Sequence, residues 1–333
     1  MTNKNTHLNR PFFLKPAAKD YLWGGNRLND DFSKGIEMQP LAETWECSTH
    51  PDGPSIVVSG EHFGKSLIEV LEDYPEYLGT HSQSKKELPI LIKLIDAKKD
   101  LSVQVHPSDE YAQEHEHGQL GKTEMWYILD AARGTKLIYG FKMNQDQETL
   151  KKAIEEGTLE KYLKKVSVKK NDLYYIKAGT VHAIGAGALI AEVQENSNLT
   201  YRLYDYDRVD KNGKKRELHI EKGLAVAELK AAAEPRQPLR VLKYRKGCAS
   251  ELLCRCKYFE VHRMLINTER CREMVEYKTD SMSFRVLLCT DGCGSLRVEN
   301  EIQEYFKGDC IFVPANSESI RIHGQAQFLD VRG

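Results

Sequence analysis

The sequence predicts a mainly β protein made of two related β-sandwiches of the jelly-roll type, with helical insertions. Short apolar runs that alternate with polar residues recur along most of the 333 residues, and such alternation is typical of strands with one buried face. Gly, Pro, Asn and Asp separate the runs, as turns between strands require. A short internal repeat indicates that the chain contains the same kind of unit twice.

Strand-like runs occupy both parts of the chain. In the first part the predicted strands are 88–96, 101–106, 124–130, 136–141, 172–179 and 188–195. In the second part they are 258–266, 283–292, 294–300, 310–315, 319–324 and 327–331. Strands at this density favour a sandwich or a barrel.

Three segments predict helices instead. Residues 62–79 and 145–166 place apolar residues at helical spacing, and the second also has Glu and Lys about one turn apart. Residues 217–235 are rich in alanine and end on a proline. Because this third helix separates two strand-rich parts, we expect a first domain over residues 1–235 and a second over residues 236–333.

The internal repeat pairs NDLYYIKAGTVH (171–182) with GDCIFVPANSES (308–319). Each segment has a turn ending in Asp, an apolar strand and a return turn containing Ala, which together make one hairpin of a jelly roll. EMWYILDAARGTKLIYG and RVLLCTDGCGSLRVEN show a similar likeness. We therefore expect the second sandwich to be a diverged relative of the first.

Composition limits the partners of this chain. The formal net charge is −1, from 48 basic and 49 acidic residues, so no overall field would attract nucleic acid or an anionic membrane. No apolar run approaches the roughly 18 residues of a membrane span, and MTNKNTHLNRPFF lacks the apolar core of a secretory signal. We therefore predict a cytoplasmic protein that has neither nucleic acid nor a membrane as a partner, and whose eight cysteines are free thiols.

Polar side chains line one face of the predicted strand LSVQVH. Alternation places Ser102, Gln104 and His106 on that face and the apolar residues 101, 103 and 105 on the other. One face therefore packs, and the other offers a hydroxyl, an amide and an imidazole in a row. This pattern predicts that the polar face lines a cavity.

Two further segments add possible metal ligands. Glu124 opens an apolar strand two residues after Lys122, and His182 begins the strand after a glycine turn. A buried carboxylate is costly unless it is paired or bound to a metal. With Gln104 and His106, these donors suit zinc with an open coordination position, and equally iron or manganese, so the donors alone do not fix the metal.

Histidines elsewhere have a simpler interpretation. Any single histidine is more often a structural residue than a ligand, and it is the combination of four donors on three strands that points to a metal. His115 and His117 lie in the acidic stretch EYAQEHEHGQ with no apolar frame, so we expect them to be solvated. In the second part of the chain Ser319 and Arg285 stand where the repeat would place His182 and Glu124, so we expect no metal there.

Four segments resemble the signature segments of type I mannose-6-phosphate isomerases in their shorter bacterial form: LSVQVHP, GKTEMWYI, AGTVHAIGAGALIAEVQ and NLTYRLYDYDR. The resemblance runs from YLWGGNRL (21–28) to RELHIEKGL (216–224), whereas the tail matches only in general character. It implies a pair of cupin-type β-sandwiches and the interconversion of mannose 6-phosphate and fructose 6-phosphate.

The resemblance also implies the residues of the site. The implied ligands of one zinc ion per chain are Gln104, His106, Glu124 and His182. Ser102 and Lys122 would lie in the substrate pocket, and Arg202 of TYRLYD would be the active-site arginine.

The implied reaction moves a proton between C1 and C2 of the sugar through a cis-enediol(ate). It needs a base and positive charge beside the developing oxyanion. Lys122 and Arg202 are both candidates to hold either the enediolate or the phosphate, and the sequence does not separate these roles. Glu192 shares a face of ALIAEVQ with Gln194, and it is either the base or a structural residue in an ion pair.

One residue departs from the family pattern. The family commonly carries Asp in the loop before the arginine, where this chain has Asn198. Asn takes no proton at neutral pH, although it serves equally well if the residue only shapes a turn. A second interpretation therefore stays open, namely a non-catalytic sugar-phosphate regulator that keeps the zinc pocket. A metal-dependent cupin oxygenase is a third, and the glutamine donor with Lys and Arg nearby disfavours it.

Overall fold

Within the part of the chain that the structure describes, three antiparallel sheets carry the fold. The computed structural model describes residues 9–82, 87–209, 212–235, 237, 239–271 and 273–333. In chain order the strands are β1 (Phe12–Lys15), β2 (Ala17–Lys19), β3 (Glu43–Cys47), β4 (Ile56–Val57), β5 (Ile90–Ala97), β6 (Val103–Val105), β7 (Glu124–Ala131), β8 (Lys136–Phe141), β9 (Leu163–Ser167), β10 (Leu173–Ile176), β11 (His182–Ala183), β12 (Ala188–Glu195), β13 (Tyr201–Tyr204), β14 (Lys243–Arg245), β15 (Cys248–Arg255), β16 (Glu260–Asn267), β17 (Val275–Tyr277), β18 (Arg285–Val298), β19 (Glu301–Phe306), β20 (Cys310–Val313) and β21 (Ile320–Arg332).

The helices are short. They are α1 (Arg27–Phe32), α2 (Leu67–Asp73), α3 (Asp109–His115), α4 (Gln147–Glu155) and α5 (Ile220–Val226), with 3₁₀ turns at Pro75–Leu78 and Leu159–Lys161. Within the described residues, no helix is long and apolar enough to cross a membrane.

The first sandwich pairs a six-stranded sheet with a five-stranded one. Their strand orders are β10-β7-β12-β5-β3-β2 and β13-β6-β11-β8-β9. Apolar side chains such as Trp126 and Ile190 fill the space between the two sheets. The helices α4 and α5 cover the outer face of the five-stranded sheet, where Val103 and Val105 pack.

The second sandwich is built from one ten-stranded sheet, formed mainly by the tail (residues 236–333). It contains β14 to β21, and it also takes β1 and β4 from the beginning of the chain. The strands β18 and β21 are long, at 14 and 13 residues, and they pair over most of their length. One face of this sheet packs on the outer face of the six-stranded sheet, and the other side encloses a separate core that includes Phe328 and Tyr305.

The predicted fold class is confirmed, and so are the predicted strands, with two adjustments in the tail. The runs 283–292 and 294–300 belong to the single strand β18, and the runs 319–324 and 327–331 belong to β21. All eight cysteines lie in the described residues and are unpaired, as expected. The proposed boundary between residues 235 and 236 stays a prediction.

The repeat has a counterpart in backbone geometry. Asn171 and Gly308, which the repeat aligns, both have positive φ, at 72° and 102°. Gly179 and Asn316, at the aligned return turns, also have positive φ, at 89° and 53°. A left-handed turn residue therefore stands before and after each of the strands β10 and β20.

All three predicted helices are too long. The first, over 62–79, is α2 followed by the 3₁₀ turn at Pro75–Leu78. Residues 163–166 form β9 rather than the end of a helix, because they pair with β8. The third helix is α5 alone, and residues 227–235 are not helical. In that segment the Ala232 amide donates to the carbonyl of Phe141 and the Ala231 amide donates to Asn144, so partners across the fold replace the helical hydrogen bonds that alanine would favour.

A buried ion pair ties the tail to the first sandwich. Lys34 Nζ lies 2.7 Å from Glu46 Oε2, and the two side chains are 6% and 0% exposed. The ammonium also donates to the carbonyl of Gly308, and Thr44 donates to the other carboxylate oxygen. Since both charges are out of water, removing one leaves the other uncompensated.

We expect Lys34→Met to lower the free energy of unfolding by about 3 kcal/mol or more, the scale of a broken buried pair. The double variant Lys34→Met/Glu46→Gln removes both charges and should recover most of that loss. Urea unfolding measures both values. Lys152→Met, at an exposed lysine of α4, is the control and should change stability by less than about 0.5 kcal/mol; an equally small effect of Lys34→Met would contradict the prediction.

Candidate functional site

A cluster of donor atoms lies between the two sheets of the first sandwich. His106, Glu124 and His182 follow or open the strands β6, β7 and β11, and all three are fully buried. Nε2 of His106 lies 3.6 Å from Glu124 Oε2, and Nε2 of His182 lies 3.4 Å from Glu124 Oε1. Two ligands of a tetrahedral zinc ion are about 3.3–3.4 Å apart when each bond is about 2.0–2.1 Å. The spacing therefore suits a single ion.

Both histidines are oriented by their other ring nitrogen. Nδ1 of His106 lies 2.9 Å from the carbonyl oxygen of Leu199, and Nδ1 of His182 lies 2.8 Å from that of Thr180. A proton on Nδ1 satisfies each carbonyl and leaves the lone pair of Nε2 facing the cluster. Gln104 pairs with His182 in the sheet, and its amide nitrogen is 3.5 Å from His182 Nε2.

The electrostatics of the cluster favour a cation. Burial lowers the pKa of His182 to about 4, and burial together with Lys122 lowers the pKa of His106 well below its usual range, so both imidazoles are neutral at pH 7. Burial, followed by the nearby charge of Glu192, raises the pKa of Glu124 to about 7. His106 Nε2 and Glu124 Oε1 are buried without a hydrogen-bond partner among the described residues. Binding a metal ion would give both atoms the partner that buried polar atoms require.

The predicted neighbour of Glu124 is in place. Lys122 is 4% exposed, and its Nζ lies 3.0 Å from Glu124 Oε2. Ser102, also buried, accepts from Arg202 Nε at 3.4 Å. The expected shared face of 102, 104 and 106 is therefore correct. Leu101 differs from expectation: it packs with the inner cluster rather than with Val103 and Val105, because β6 begins only at residue 103.

A row of buried charges crosses the six-stranded sheet beside the cluster. Lys93 and Glu192 are partners in the sheet, and their charged atoms are 3.3 Å apart. Glu43 lies 3.8 Å from the same ammonium, and the indole of Trp126 donates to Glu192 at 2.8 Å. Burial alone would raise the pKa of Glu192, but the charges of Lys93 and Lys122 outweigh it and lower the pKa.

One pocket connects these groups to solvent. Its lining residues are Tyr21, Trp23, Glu43, Lys93, Ile95, Leu101, Ser102, Gln104, Lys122, Ile184, Glu192, Asn198, Thr200, Arg202 and Arg216. The wall therefore combines two lysines and two arginines with the edge of the donor cluster. Such a wall fits an anionic ligand that reaches the cluster.

The arginine side of the pocket is built by β13. Arg202 is the sheet partner of Gln104, and its Nη1 donates to the carbonyl of Glu217 at 2.9 Å. Arg216 donates through Nε to Asp205 at 2.8 Å, and Arg208 pairs with the same carboxylate. Asp205 thus pairs with two guanidinium groups, of which Arg216 lines the pocket. With Arg202 on the same side, two guanidinium groups make this part of the wall positive.

Sequence reasoning missed Lys93 and Arg216. A lysine in the middle of the apolar run LPILIKLID was a signal, since a central strand rarely buries an ammonium without a partner. Arg216 gave no local signal, because it lies outside any strand or helix and reaches the pocket through Asp205. His115 and His117 are exposed, as predicted.

Asn198 lines the pocket and bonds to a neighbouring loop. Its side-chain nitrogen donates to Asp52 Oδ2 at 3.0 Å. The Asp52 side chain is 56% exposed and also lies 3.6 Å from His50 Nδ1. An amide here can donate to a carboxylate, which a second carboxylate cannot do unless it is protonated.

Comparisons with known proteins agree on one family. The model of the phosphomannose isomerase type I catalytic domain matches residues 12–133. Mannose-6-phosphate isomerase ManA of Bacillus subtilis is 38% identical over 320 residues, covering 95% of this chain and 97% of the relative. The Streptococcus mutans mannose-6-phosphate isomerase is 34% identical over 96% of this chain and 97% of its own length. The crystal structure of a mannose 6-phosphate isomerase from B. subtilis superposes with a TM-score of 0.87, at 36% identity, over 97% of this chain and 99% of that one.

We expect Asn198→Asp to lower the free energy of unfolding at pH 7 by up to about 1 kcal/mol, because two carboxylates would then face each other in a partly exposed place. Their repulsion raises the pKa of one above its unfolded value, so the loss should be present at pH 7 and vanish as the pH falls below about 4. Thermal unfolding at both pH values measures it. The exchange Asp52→Asn/Asn198→Asp restores one donor and one acceptor and should restore stability at pH 7; if it behaves like the single variant, the contact is unimportant.

Proposed function

This chain belongs to the type I phosphomannose isomerase family, and we propose that it is an enzyme that interconverts mannose 6-phosphate and fructose 6-phosphate. The observation that carries the proposal is the meeting of two features in one pocket. A buried His/Glu/His donor cluster lies at its inner end, and Lys122, Arg202 and Arg216 make its wall positive. The names of the curated relatives support the same activity.

We propose zinc as the metal, with one ion per chain. The proposed ligands are Gln104, His106, Glu124 and His182. A half-turn of the Gln104 amide would exchange its nitrogen for its oxygen and add a fourth donor, since the two atoms are nearly indistinguishable by shape. When bound, the ion would act as a Lewis acid that polarises the sugar carbonyl.

The chain's own side chains would handle the proton and the charges. Glu192 is ionised because of Lys93 and Lys122, and we propose that it accepts the proton from one sugar carbon and returns it to the neighbouring one through a cis-enediol(ate). The indole of Trp126 holds one of its oxygens. Lys122 and Arg202 would stabilise negative charge on the sugar oxygens, since fixed cations in a buried site act strongly.

The phosphate would bind at the arginine side of the pocket. Ser102 offers a hydroxyl, and Arg216 offers the guanidinium that would bind the phosphate, whereas Arg202 would face the reacting oxygens of the sugar. A guanidinium binds phosphate oxygens with two parallel hydrogen bonds. This placement leaves the sugar carbons to reach toward the donor cluster.

A regulator that binds the sugar phosphate without converting it is disfavoured by the similarity of the whole chain to named isomerases. Formation of fructose 6-phosphate from mannose 6-phosphate by the purified protein decides between the two. We further propose that the protein works in the cytoplasm without nucleic acid or membrane as partners. We also propose that residues 1–235 and 236–333 are its two domains, with β1 and β4 of the first domain adding strands to the sheet of the second.

The metal proposal predicts that the purified protein retains about one zinc ion per chain. His106→Ala and His182→Ala should each lose both the ion and the activity, because each removes one ligand of an ion that holds about four. Metal analysis and the isomerase assay measure the two effects. The controls are the tail residues His262 and His323, which contact Glu260 and Thr268; their alanine variants should keep metal and turnover. Full activity of a metal-free preparation would reject the proposal.

The role of Arg202 predicts a different signature. Arg202→Lys should lower kcat by about a hundredfold or more, the scale seen when an oxyanion donor is lost, because an ammonium cannot reproduce two parallel bonds. KM should change less, since the lost contact is made mainly in the transition state. Steady-state kinetics measure both constants. Arg208→Lys is the matched control: this arginine pairs with Asp205 and lies outside the pocket wall. A rise of KM with unchanged kcat would instead make Arg202 a phosphate clamp.

A further inference from the structure

The loop that carries Lys122 is held at each of its backbone amides. The Gly121 amide donates to Asp109 Oδ1 at 3.0 Å, and the Thr123 amide donates to Glu195 Oε1 at 2.6 Å. The Lys122 amide donates to the carbonyl of Pro107 at 3.0 Å. Two side-chain carboxyl groups therefore flank the lysine, one from α3 and one from the end of β12.

The two carboxyl groups also influence each other's pKa, because two carboxylates close together cannot both be ionised without a large cost. Burial, followed by the charge of Asp109, raises the pKa of Glu195 to about 8. Burial would raise the pKa of Asp109 as well, but the neighbouring Glu195 and the hydroxyl of Tyr258 reverse this and lower it. At neutral pH Glu195 is therefore the protonated acid and Asp109 the carboxylate.

The tail completes this arrangement. The Tyr258 hydroxyl donates to Asp109 Oδ2 at 3.0 Å, and Lys257 Nζ lies 3.4 Å from the same oxygen. The lysine is 71% exposed, so it contributes little, and Tyr258 is the main contact. A residue of the tail thus reaches, through one carboxylate, the loop that carries a pocket lysine.

We propose that Asp109 and Glu195 are positioning residues, which hold the Lys122 loop at the pocket and connect its position to Tyr258 of the tail. The inference rests on the proposed role of Lys122 in the isomerase pocket. Neither carboxyl group lines the pocket, so both would act through the loop. Because Lys122 lies beside Glu124, a small displacement of the loop moves the ammonium relative to the reacting sugar, and a shift of about 1 Å can cost up to a hundredfold in rate.

The decisive pair of variants is Glu195→Gln and Glu195→Ala. Glutamine copies the protonated acid, since its amide oxygen accepts from Thr123 and its nitrogen donates to Asp109. We expect Glu195→Gln to keep kcat/KM within about twofold of the original chain. Alanine removes both contacts and should lower kcat/KM by about tenfold or more, with zinc content unchanged. Glu251→Ala is the control, because Glu251 is a buried carboxylate of the tail, paired with Arg263, and its loss should reduce stability without reducing kcat/KM.

The pH profile adds a readout that a purely structural role would not move. Besides Asp109, the ionisable groups that face or surround Glu195 are Glu110, Tyr175, Cys256, Lys257 and Tyr258. The pKa of Glu195 is raised from 4.5 to about 8, so the stability that its proton provides is complete at low pH and is lost as the pH rises through about 8. The original chain should lose activity above that pH, and Glu195→Gln should lose less.

Hydrogen exchange tests the positioning without any substrate. The peptide that contains Gly121 to Thr123 should exchange its amide protons faster in Glu195→Ala than in the original chain, and Glu195→Gln should match the original chain. Tyr258→Phe should give an intermediate rate. This arm stays informative even if the chain proves inactive as an isomerase. Unchanged exchange and kcat/KM in Glu195→Ala would overturn the proposal, and so would a Glu195→Gln variant as impaired as the alanine one.

Discussion

Charge balance between the two sheets of the first sandwich is the constraint on which the site depends. Glu43, Glu124, Glu192, Lys93 and Lys122 are all less than a tenth exposed. Three carboxyl groups meet two ammonium groups there, because the histidines are held neutral by burial. Isolated buried charges are very costly, and burial with the charge of Glu192 accordingly raises the pKa of Glu124 to about 7. A bound cation would balance the Glu124 carboxylate in place of a proton. The donor atoms of Glu124 and the two histidines lie where such a cation would be bound.

The strands make this arrangement possible because their outward side chains pack in apolar cores, while their inward side chains include the polar groups of the site. In β7 the outward side chains of Met125 and Tyr127 pack in the core under the tail sheet, while the inward ones include Glu124 and Trp126. In β6 the outward Val103 and Val105 pack against the helices α4 and α5. Because apolar burial on the outer faces adds to that of the inner cluster around Trp126 and Ile190, the inner faces can also carry polar groups.

The same alternation explains what the sequence could reveal. Gln104 and His106 could be assigned to one face because that relation is local and follows from strand geometry. The pairing of Lys93 with Glu192 could not be found in this way, since it depends on which strands become neighbours and in which register. The prediction of helix over 227–235 was wrong for a related reason. Alanine favours a helix locally, but the partners of Ala231 and Ala232 lie near β8, and a backbone hydrogen bond across the fold overrides a propensity of less than about 1 kcal/mol per residue.

The pocket residues differ in how firmly the sheets alone can place them. Arg202 and His182 are each sheet partners of Gln104, so hydrogen-bonded register fixes their relative positions. Lys122 precedes β7 and has no ladder partner, and a site residue on a loop is less precisely placed than one on a strand. A buried pair of carboxyl groups beside it is therefore reasonable in energetic terms. Protonated Glu195 can donate to Asp109, and each of the two carboxyl groups accepts a hydrogen bond from one amide of the loop. These bonds hold the loop in place of the strand pairing that Lys122 lacks. Since Tyr258 closes the same network, the tail contributes to the geometry of the pocket from a distance, although none of the tail side chains that the structure describes lines the wall.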